Sequence, residues 1–263
     1  MQIWLEIEPG AISLASLRKA CGSVYSREGR ARWCSNLSFR LQLHQPSEPA
    51  IRLLDKFLVT SKSSFVINQV ELALDLITTD IDHRRELNDF IERHSVKRWH
   101  GRQRVVYCED TRYSGRKRWG SQQLVQYATR PSKSSGQPCV HLEWRVGGKP
   151  QVEALGVYDL MQLATLDHRR FWMEHLCLEE VNYTMLGKQI LRQGRAKKPL
   201  QSGPYQDWYP CLGARIGRAA ATRSNGPTAQ DIRDWCREED WFHPETCMMK
   251  IDVEPYLPRS GVR

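Results

Sequence analysis

The chain has 263 residues, 40% of them hydrophobic and 26% charged, a balance typical of a globular protein long enough to bury a core. Its 39 lysine and arginine residues exceed its 30 acidic residues, and the formal net charge of +9 favours a polyanionic partner, nucleic acid first and an anionic membrane surface second. A basic protein without such a partner is the alternative. No apolar run reaches the about 18 residues of a membrane-spanning helix, which excludes that class.

The N-terminal residues and the cysteines bear on the cellular compartment. Glu6 and Glu8 lie where a secretory signal peptide would carry basic residues, so no leader is expected. The eight cysteines include no Cys-x-x-Cys pair, and a chain of this length does not need a disulfide scaffold. We therefore expect a cytoplasmic protein with reduced thiols, and the cysteine spacing argues against a structural zinc site.

Hydrophobic periodicity predicts strands and helices in alternation over the first hundred residues. Ser47 is a suitable N-cap, and Ile51, Leu54 and Leu58 recur on one face of the helix that follows it. The predicted elements are a strand at 37–44, a helix that begins after Ser47, a strand at 65–77 and a helix at 83–94.

The middle of the chain is rich in predicted strands, and the loops between them are basic. The strand patterns occupy residues 104–109, 111–114, 122–129 and 138–146. The connectors 115–120 and 130–136 combine turn-forming residues with lysine and arginine. This order predicts an antiparallel β-sheet with flanking helices, and therefore an α+β fold.

The last third of the chain changes character twice. Helical patterns return over 152–181, and the apolar residues expected in their core are Leu155, Leu160, Leu163, Phe171, Trp172 and Leu176. The segment 188–227 is rich in basic residues, glycine, proline and serine, which predicts a linker or a basic arm. Thr228 then caps a short helix. We expect a domain at 1–187, the basic linker or arm at 188–227 and a small C-terminal helical segment at 228–263.

Three carboxylates are candidates for a metal site. Glu71 and Asp75 share the polar face of the strand at 65–77, about 13 Å apart at about 3.3 Å per residue. Glu143 lies on the polar face of the strand at 138–146, so it joins them if both strands share one core. Carboxylates on one sheet face either shift their pKa or bind a hard divalent cation. The alternatives are an ordinary solvated face and a surface ion pair of Glu143 with Arg145.

Tyr127 is the candidate nucleophile. A strand tyrosine usually lines a core or a pocket, whereas a phenol beside a metal and a phosphate can attack phosphorus once its pKa of about 10 is lowered. Tyr127 shares a strand face with Val125, so burial on the core side is the competing expectation. Tyr107 and Tyr113 are alternative nucleophiles.

Four segments in series resemble motifs of the Rep_trans family, the replication initiators of rolling-circle plasmids and of some phages. Residues 67–75, Ile-Asn-Gln-Val-Glu-Leu-Ala-Leu-Asp, are similar to the family's Arg-x-Asp-x-Ala-x-Asp strand. Residues 111–117 resemble its Thr-x-Tyr-x-Gly-Ser-Arg segment, residues 124–129 its Tyr-Asp-Lys segment and residues 140–145 its Arg-x-Glu-x-Arg strand. The departures are Gln69 in place of arginine, Glu71 in place of aspartate, and Ala128 and Thr129 in place of Asp-Lys.

The resemblance implies an enzyme that nicks one DNA strand at a replication origin. In this chemistry a tyrosine stays attached to the 5′ phosphate and a 3′-hydroxyl primer is released. The resemblance assigns Tyr127 as the nucleophile, and it assigns Mg²⁺ or Mn²⁺ to Glu71, Asp75 and Glu143. The residues expected to contact DNA are Arg112, Arg116, Lys117, Arg118, Arg130, Lys133 and Arg145.

A second class of function stays open. A plasmid or phage protein that binds DNA on the same scaffold without catalysis would ignore a chelator, whereas a nickase would lose activity. The sequence has no Arg-His-Arg pattern of a tyrosine recombinase and no His-x-His pair of the nucleases that use one. The expected partner is origin DNA, single- or double-stranded. A host helicase and a second copy of the chain in a homodimer are open candidates, and no membrane partner is expected.

Overall fold

The computed structural model describes residues 2–7, 14–28, 39–60, 62, 65–96, 105–115, 122–189, 228–238 and 246–258. These residues form two compact units. The first unit holds the described residues of 1–78 and 104–168, and the second holds those of 79–103 and 169–263. Each unit contains an antiparallel sheet together with helices, so the predicted α+β class is confirmed.

The described strands form one large sheet and one small sheet. Numbered along the chain, they are β1 (Gln2–Ile7), β2 (Cys21–Glu28), β3 (Phe39–Pro46), β4 (Phe65–Ile77), β5 (Ser95–Val96), β6 (Val105–Cys108), β7 (Thr111–Gly115), β8 (Gln122–Tyr127), β9 (Cys139–Gly147), β10 (Cys177–Val181) and β11 (Met248–Ile251). The first unit contains an eight-stranded sheet in the order β2-β3-β1-β4-β9-β8-β7-β6. Every neighbouring pair in it is antiparallel, and β4 and β9 lie in the middle.

The helices divide between the two units. They are α1 (Leu14–Ala20), α2 (Glu48–Thr60), α3 (Ile81–His94), α4 (Lys149–Glu153), α5 (Leu160–Ala164), α6 (His168–His175), α7 (residues 183–189) and α8 (Ala229–Glu238). Helices α1, α2, α4 and α5 belong to the first unit. As predicted, Ser47 begins α2, because its Oγ accepts the Ala50 amide hydrogen at 3.3 Å and satisfies a backbone donor of the first turn.

One face of the large sheet forms the core of the first unit. Strict alternation on β4 and β9 buries Leu72, Leu142 and Trp144 on that face. Helix α2 contacts β3 and contributes Leu54 to the core, while α4 contacts β4 and β9. The buried indole of Trp144 donates its Nε1 hydrogen to Gln122 Oε1 at 3.0 Å, as a buried N–H requires. The opposite face of β4, β9 and β8 is therefore left for polar side chains.

The second unit is built on a three-stranded sheet with β10 between β5 and β11. Its core residues are Val96, Cys177, Val181, Leu186, Ala229, Ile232, Cys247 and Met248. Thr228 caps α8 as predicted, since its Oγ1 accepts the Asp231 amide hydrogen at 3.2 Å. Glu179 of β10 is 4% exposed and accepts two hydrogen bonds from Arg233 of α8, at 3.0 and 2.9 Å.

The structure corrects two predictions about organisation. Residues 177–181 form β10 and not a helix, because β5 and β11 supply backbone hydrogen-bond partners on both sides. The residues from 228 to 258 that are described belong with 79–96 and 169–189, so they are not a separate C-terminal segment, and no boundary falls at 187. Of the expected arm at 188–227, residues 190–227 lie outside the described residues.

Within the described ranges, no helix combines the length and the apolar character needed to cross a membrane. Among the described residues, Cys21 and Cys108 are free thiols.

Candidate active site

The polar face of β4, β9 and β8 gathers most of the predicted site residues. In antiparallel pairs, residues directly opposite each other share a sheet face. The side chains that the register brings to this face are Glu71, Ala73, Asp75, Cys139, His141, Glu143, Arg145, Val125 and Tyr127. Glu71, Asp75 and Glu143 therefore lie on one face of adjacent strands, as the alternation predicted.

Tyr127 lies on this polar face and not in the core. Val125 lies on it too, buried between Tyr113 and Glu143 of the neighbouring strands, so the shared phase does not carry Tyr127 into the core. The Tyr127 hydroxyl donates to Glu143 Oε1 at 2.8 Å, and its ring stacks on His141 with centroids 4.6 Å apart. Burial, together with the charge and the hydrogen bond of Glu143, raises the pKa of Tyr127. The phenol is therefore held protonated.

Arg145 joins two of the carboxylates. Its Nε and Nη2 donate to Glu143 Oε2 at 3.1 and 2.5 Å, and Nε lies 3.6 Å from Glu71 Oε1. Burial raises the pKa of Glu71 although Arg145 opposes the shift, and the charge of Glu143 adds to it. Burial alone would lower the pKa of Arg145, but the two carboxylates outweigh it and raise the pKa. The guanidinium thus stays charged and holds both acids.

Asp75 forms a separate pair with His141. His141 Nδ1 lies 2.8 Å from Asp75 Oδ1, and Ser132 Oγ donates to Asp75 Oδ2 at 2.7 Å. Burial would raise the pKa of Asp75, but these hydrogen bonds outweigh it and lower the pKa. Burial would likewise lower the pKa of His141, and the hydrogen bond and charge of Asp75 outweigh it and raise the pKa. The pair therefore favours a carboxylate beside an imidazolium.

Of the three carboxylates predicted to bind a metal ion, only Glu71 and Glu143 lie at a common point in the structure. Glu71 and Glu143 meet at one guanidinium nitrogen, 3.6 and 3.1 Å from it, whereas Asp75 is engaged with His141 and Ser132. Magnesium is usually held by one or two carboxylates together with phosphate oxygens, so the pair Glu71 and Glu143 fits such an ion. Arg145 supplies the positive charge at that point in this structure.

Two other tyrosines were alternative nucleophiles. Tyr113 is paired with Val125 and is half-buried on the same face as Tyr127. Tyr107 is paired with Arg112, on the opposite face, and is 43% exposed. Tyr113 thus stays a competitor of Tyr127, whereas Tyr107 lies away from the carboxylates.

The structure corrects one predicted DNA contact. Arg112 lies on the core side of β7 and is only 4% exposed, and its Nη1 donates to Gln126 Oε1 at 3.3 Å. Alternation along the strand gives Arg112 the opposite direction from Tyr113, which carries it away from the polar face. Arg116, Lys117 and Arg118 lie outside the described residues.

The remaining predicted DNA contacts that the structure describes lie near the polar face. Arg130 and Lys133 are exposed on the loop between β8 and β9. Burial and the charge of Lys133 lower the pKa of His44, so this lysine acts electrostatically on β3. Arg145 is 30% exposed and is held by the two glutamates, so it is the least accessible of the three.

Sequence reasoning did not assign three residues that the structure places at the site. His141 and Cys139 alternate with Glu143 on β9, so the spacing Cys-x-His-x-Glu contained the signal that they share its face. Ser132, in the loop, is 2% exposed and reaches Asp75 only through the return of that loop. No local pattern marks such a contact.

The arrangement combines groups suited to phosphodiester chemistry. A phenol, a carboxylate that accepts its hydrogen and a guanidinium lie within hydrogen-bonding reach of one another in the order Tyr127, Glu143, Arg145. A hydroxyl beside an acceptor can be activated for nucleophilic attack, and a guanidinium can bind phosphate oxygens. The same three groups could also serve only to bind a phosphate.

Comparisons with known proteins return no relative. No protein-family model matches the chain, and neither the curated proteins nor the solved structures include a significant match. The resemblance to replication initiators stays a prediction from the four motifs. The described strand residues of those motifs belong to β4, β7, β8 and β9, which are consecutive strands in the sheet order β4-β9-β8-β7.

Proposed function

We propose that the chain initiates rolling-circle DNA replication by nicking one strand at an origin, with Tyr127 as the nucleophile. One observation carries the proposal. The Tyr127 hydroxyl lies 2.8 Å from Glu143 on a sheet face that also presents Glu71, Asp75 and Arg145. The four motifs that resemble replication initiators converge on this face from four consecutive strands.

The proposed reaction is a transfer of a phosphoryl group from DNA to the enzyme. The Tyr127 oxygen bonds to phosphorus, its proton passes to the Glu143 carboxylate, and the bond from phosphorus to the 3′ oxygen breaks. The 5′ phosphate stays on Tyr127, and the 3′ oxygen takes up a proton from water to become the primer hydroxyl. Mg²⁺ or Mn²⁺ held by Glu71 and Glu143 would neutralise the phosphate and lower the pKa of the phenol.

The basic residues near this face suit a DNA partner. Arg130 and Lys133 are exposed beside it, and the net charge of +9 attracts a polyanion from a distance. A cytoplasmic location belongs to the same proposal and agrees with the described free thiols. A host helicase is a further proposed partner, because replication from a nick requires strand separation. A homodimer is also part of the proposal.

The test is a nicking assay on supercoiled DNA that carries the gene and its flanking sequence. Tyr127→Phe is expected to abolish nicking and the covalent adduct while DNA binding persists. Tyr158→Phe is the matched control, because Tyr158 is 66% exposed and is not on the three strands of the site. Tyr113→Phe tests the competing nucleophile. If both Tyr127→Phe and Tyr113→Phe nick like the wild type, the proposed mechanism is wrong.

A DNA-binding protein without catalysis is the second candidate. The observation that favours it is the protonated Tyr127, whose pKa is raised by burial and by Glu143, and whose acceptor is already occupied by Arg145. A chelator separates the two functions. A nickase loses activity in EDTA and keeps its affinity for DNA, whereas a binder has no activity to lose.

A further inference from the structure

Asp75, Cys139 and His141 form a second cluster at the end of the polar face next to the loop between β8 and β9, here called the Cys-His-Asp cluster. Their ligand atoms lie within 4.8 Å of one another, and no other described group of at least three such side chains meets that distance. Cys139 Sγ lies 3.2 Å from His141 Nε2 and 3.9 Å from Nδ1. Cys139 is 0% and His141 6% exposed, so the cluster is closed to bulk water on the thiol side.

Outer hydrogen bonds orient two members of the cluster. His141 Nε2 lies 2.9 Å from the Arg130 carbonyl oxygen, and Ser132 Oγ donates to Asp75 Oδ2 at 2.7 Å. Metal-binding histidines commonly donate their other ring N–H to a carbonyl or carboxylate, and metal-binding carboxylates are themselves hydrogen-bonded. Both features are present here without any contribution from Glu71 or Glu143.

The two ring nitrogens of His141 both face acceptors. The Arg130 carbonyl oxygen can only accept, so Nε2 carries a hydrogen toward it. Nδ1 then faces the Asp75 carboxylate, whose oxygens also accept. In this structure Nδ1 and the carboxylate share a proton, and after loss of that proton the same two atoms can instead bind one metal ion.

We propose that Asp75, Cys139 and His141 bind a divalent transition-metal ion of the zinc class. A thiolate, an imidazole and a carboxylate are a zinc donor set, and magnesium prefers oxygen ligands alone. Tetrahedral zinc at bond lengths of about 2.0–2.3 Å requires ligand atoms roughly 3.3–3.6 Å apart. The observed separations from Nδ1, 2.8 Å to Asp75 Oδ1 and 3.9 Å to Cys139 Sγ, lie on either side of that range. Small side-chain rotations would bring Nδ1 to that distance from both other ligands, and a water would fill the fourth position of the tetrahedron.

Zinc at this position would fasten the loop that carries Arg130 and Lys133. The loop already meets the cluster through the Arg130 carbonyl and the Ser132 hydroxyl. The inference does not depend on nicking, because its ligands exclude Tyr127 and Glu143. A chain that binds no DNA could still hold the ion, and a nickase could act on magnesium with this cluster protonated.

The experiment is cobalt and zinc titration of the full-length, DNA-free protein after removal of metals by a chelator. Co²⁺ is expected to bind one equivalent and to give a thiolate-to-cobalt charge-transfer band, and Zn²⁺ is expected to displace it in millimolar Mg²⁺. Cys139→Ser should remove the band, and Asp75→Asn should weaken Zn²⁺ binding by about 10-fold or more. Cys108→Ser is the matched control, since Cys108 is an exposed free thiol of the same unit and should leave the band unchanged.

The possible outcomes distinguish a Cys-His-Asp cluster that binds a metal ion from one that holds only a shared proton. A cobalt spectrum of the wild type without a thiolate band overturns the proposal, and it does so even if Cys139→Ser fails to fold. A band that persists in Cys139→Ser, or that is lost in Cys108→Ser, assigns the ion to another cysteine and also overturns it. If the protein nicks DNA in a Mg²⁺-dependent way but shows no cobalt band, the proposed function is supported and the zinc proposal is wrong.

Discussion

Replacing Arg145 with methionine should destabilise the protein in a way that depends on pH. The change keeps much of the aliphatic volume but removes the charge that holds Glu143 and Glu71, whose side chains are 18% and 14% exposed. Breaking a fully buried pair costs about 3–5 kcal/mol and an exposed pair about 0–1 kcal/mol. These partly buried acids lie between, so we expect a loss of about 2 kcal/mol at pH 7 in the free energy of unfolding.

The sign of the pH dependence follows from Glu71. Its pKa is already raised by burial, and loss of Arg145 removes the charge that opposes the rise. A carboxyl with a raised pKa in the folded state costs stability above that pKa, and the cost vanishes below its ordinary value of about 4.3. Urea unfolding at pH 7.5 and pH 4.5 should therefore show a penalty that shrinks in acid.

Arg52→Met is the control for that measurement. Arg52 pairs with Glu48 on the surface, with the two side chains 49% and 37% exposed, so its loss should cost about 0.5 kcal/mol at most. An Arg145→Met penalty that equals the control, or that stays constant between the two pH values, would refute the reasoning about Glu71 and Glu143.

Three further predictions concern other parts of the molecule. In metal-free buffer, Asp75→Asn should lower the melting temperature most between pH about 4 and 6.5. Folding lowers the pKa of Asp75, so this carboxyl stabilises the fold at pH values above its ordinary pKa. Folding raises the pKa of His141, so this imidazole stabilises the fold at pH values below its ordinary pKa. Equal losses at pH 5.5 and pH 9 would contradict this. Neutralising Arg130 and Lys133 together should reduce the log–log salt slope of duplex binding by about 1.8, measured by fluorescence anisotropy. Thr228→Ala should cost about 1 kcal/mol of unfolding free energy through loss of the α8 cap.

The strands of the central sheet were predictable because their signal is local. The alternation over 65–77 and 138–146 matches β4 and β9 to within a residue at each end. One face of each strand is buried, so a one-residue shift in phase would move every apolar side chain to water. The shared face of Glu71, Asp75 and Glu143 followed from the same phase.

The order of strands was not predictable from local patterns. β1 inserts between β3 and β4, and β2 forms an edge, although neither N-terminal segment was predicted as a strand. Residues 177–181 read as helix because their partners, β5 and β11, lie about 70–80 residues away on either side in the sequence. The chain also leaves the first unit after Thr78 and returns at 104, an exchange that composition does not record.

At the site, too, the strand face of each residue was predictable from the sequence, whereas its contacts were not. The alternation correctly places Tyr127 and Val125 on the same face of the strand. The expectation that this face is the core is wrong, because Val125 is buried on the polar face by its large cross-strand neighbours. Arg145 was assigned to DNA, yet in the fold it neutralises Glu143 and Glu71. Contacts of this kind depend on which strands are adjacent, so they appear only once the register is known.

The most direct test of the central claim is mass spectrometry of the wild-type protein after reaction with its own origin DNA. The substrate is supercoiled DNA that carries the gene and its flanking sequence, incubated with Mg²⁺ or Mn²⁺ and then digested to peptides. We expect one nucleotide-linked peptide, with the phosphate attached to Tyr127 and none formed in EDTA. Tight, salt-sensitive binding of the same DNA with no tyrosine adduct at any site would contradict the nickase and leave a DNA-binding protein.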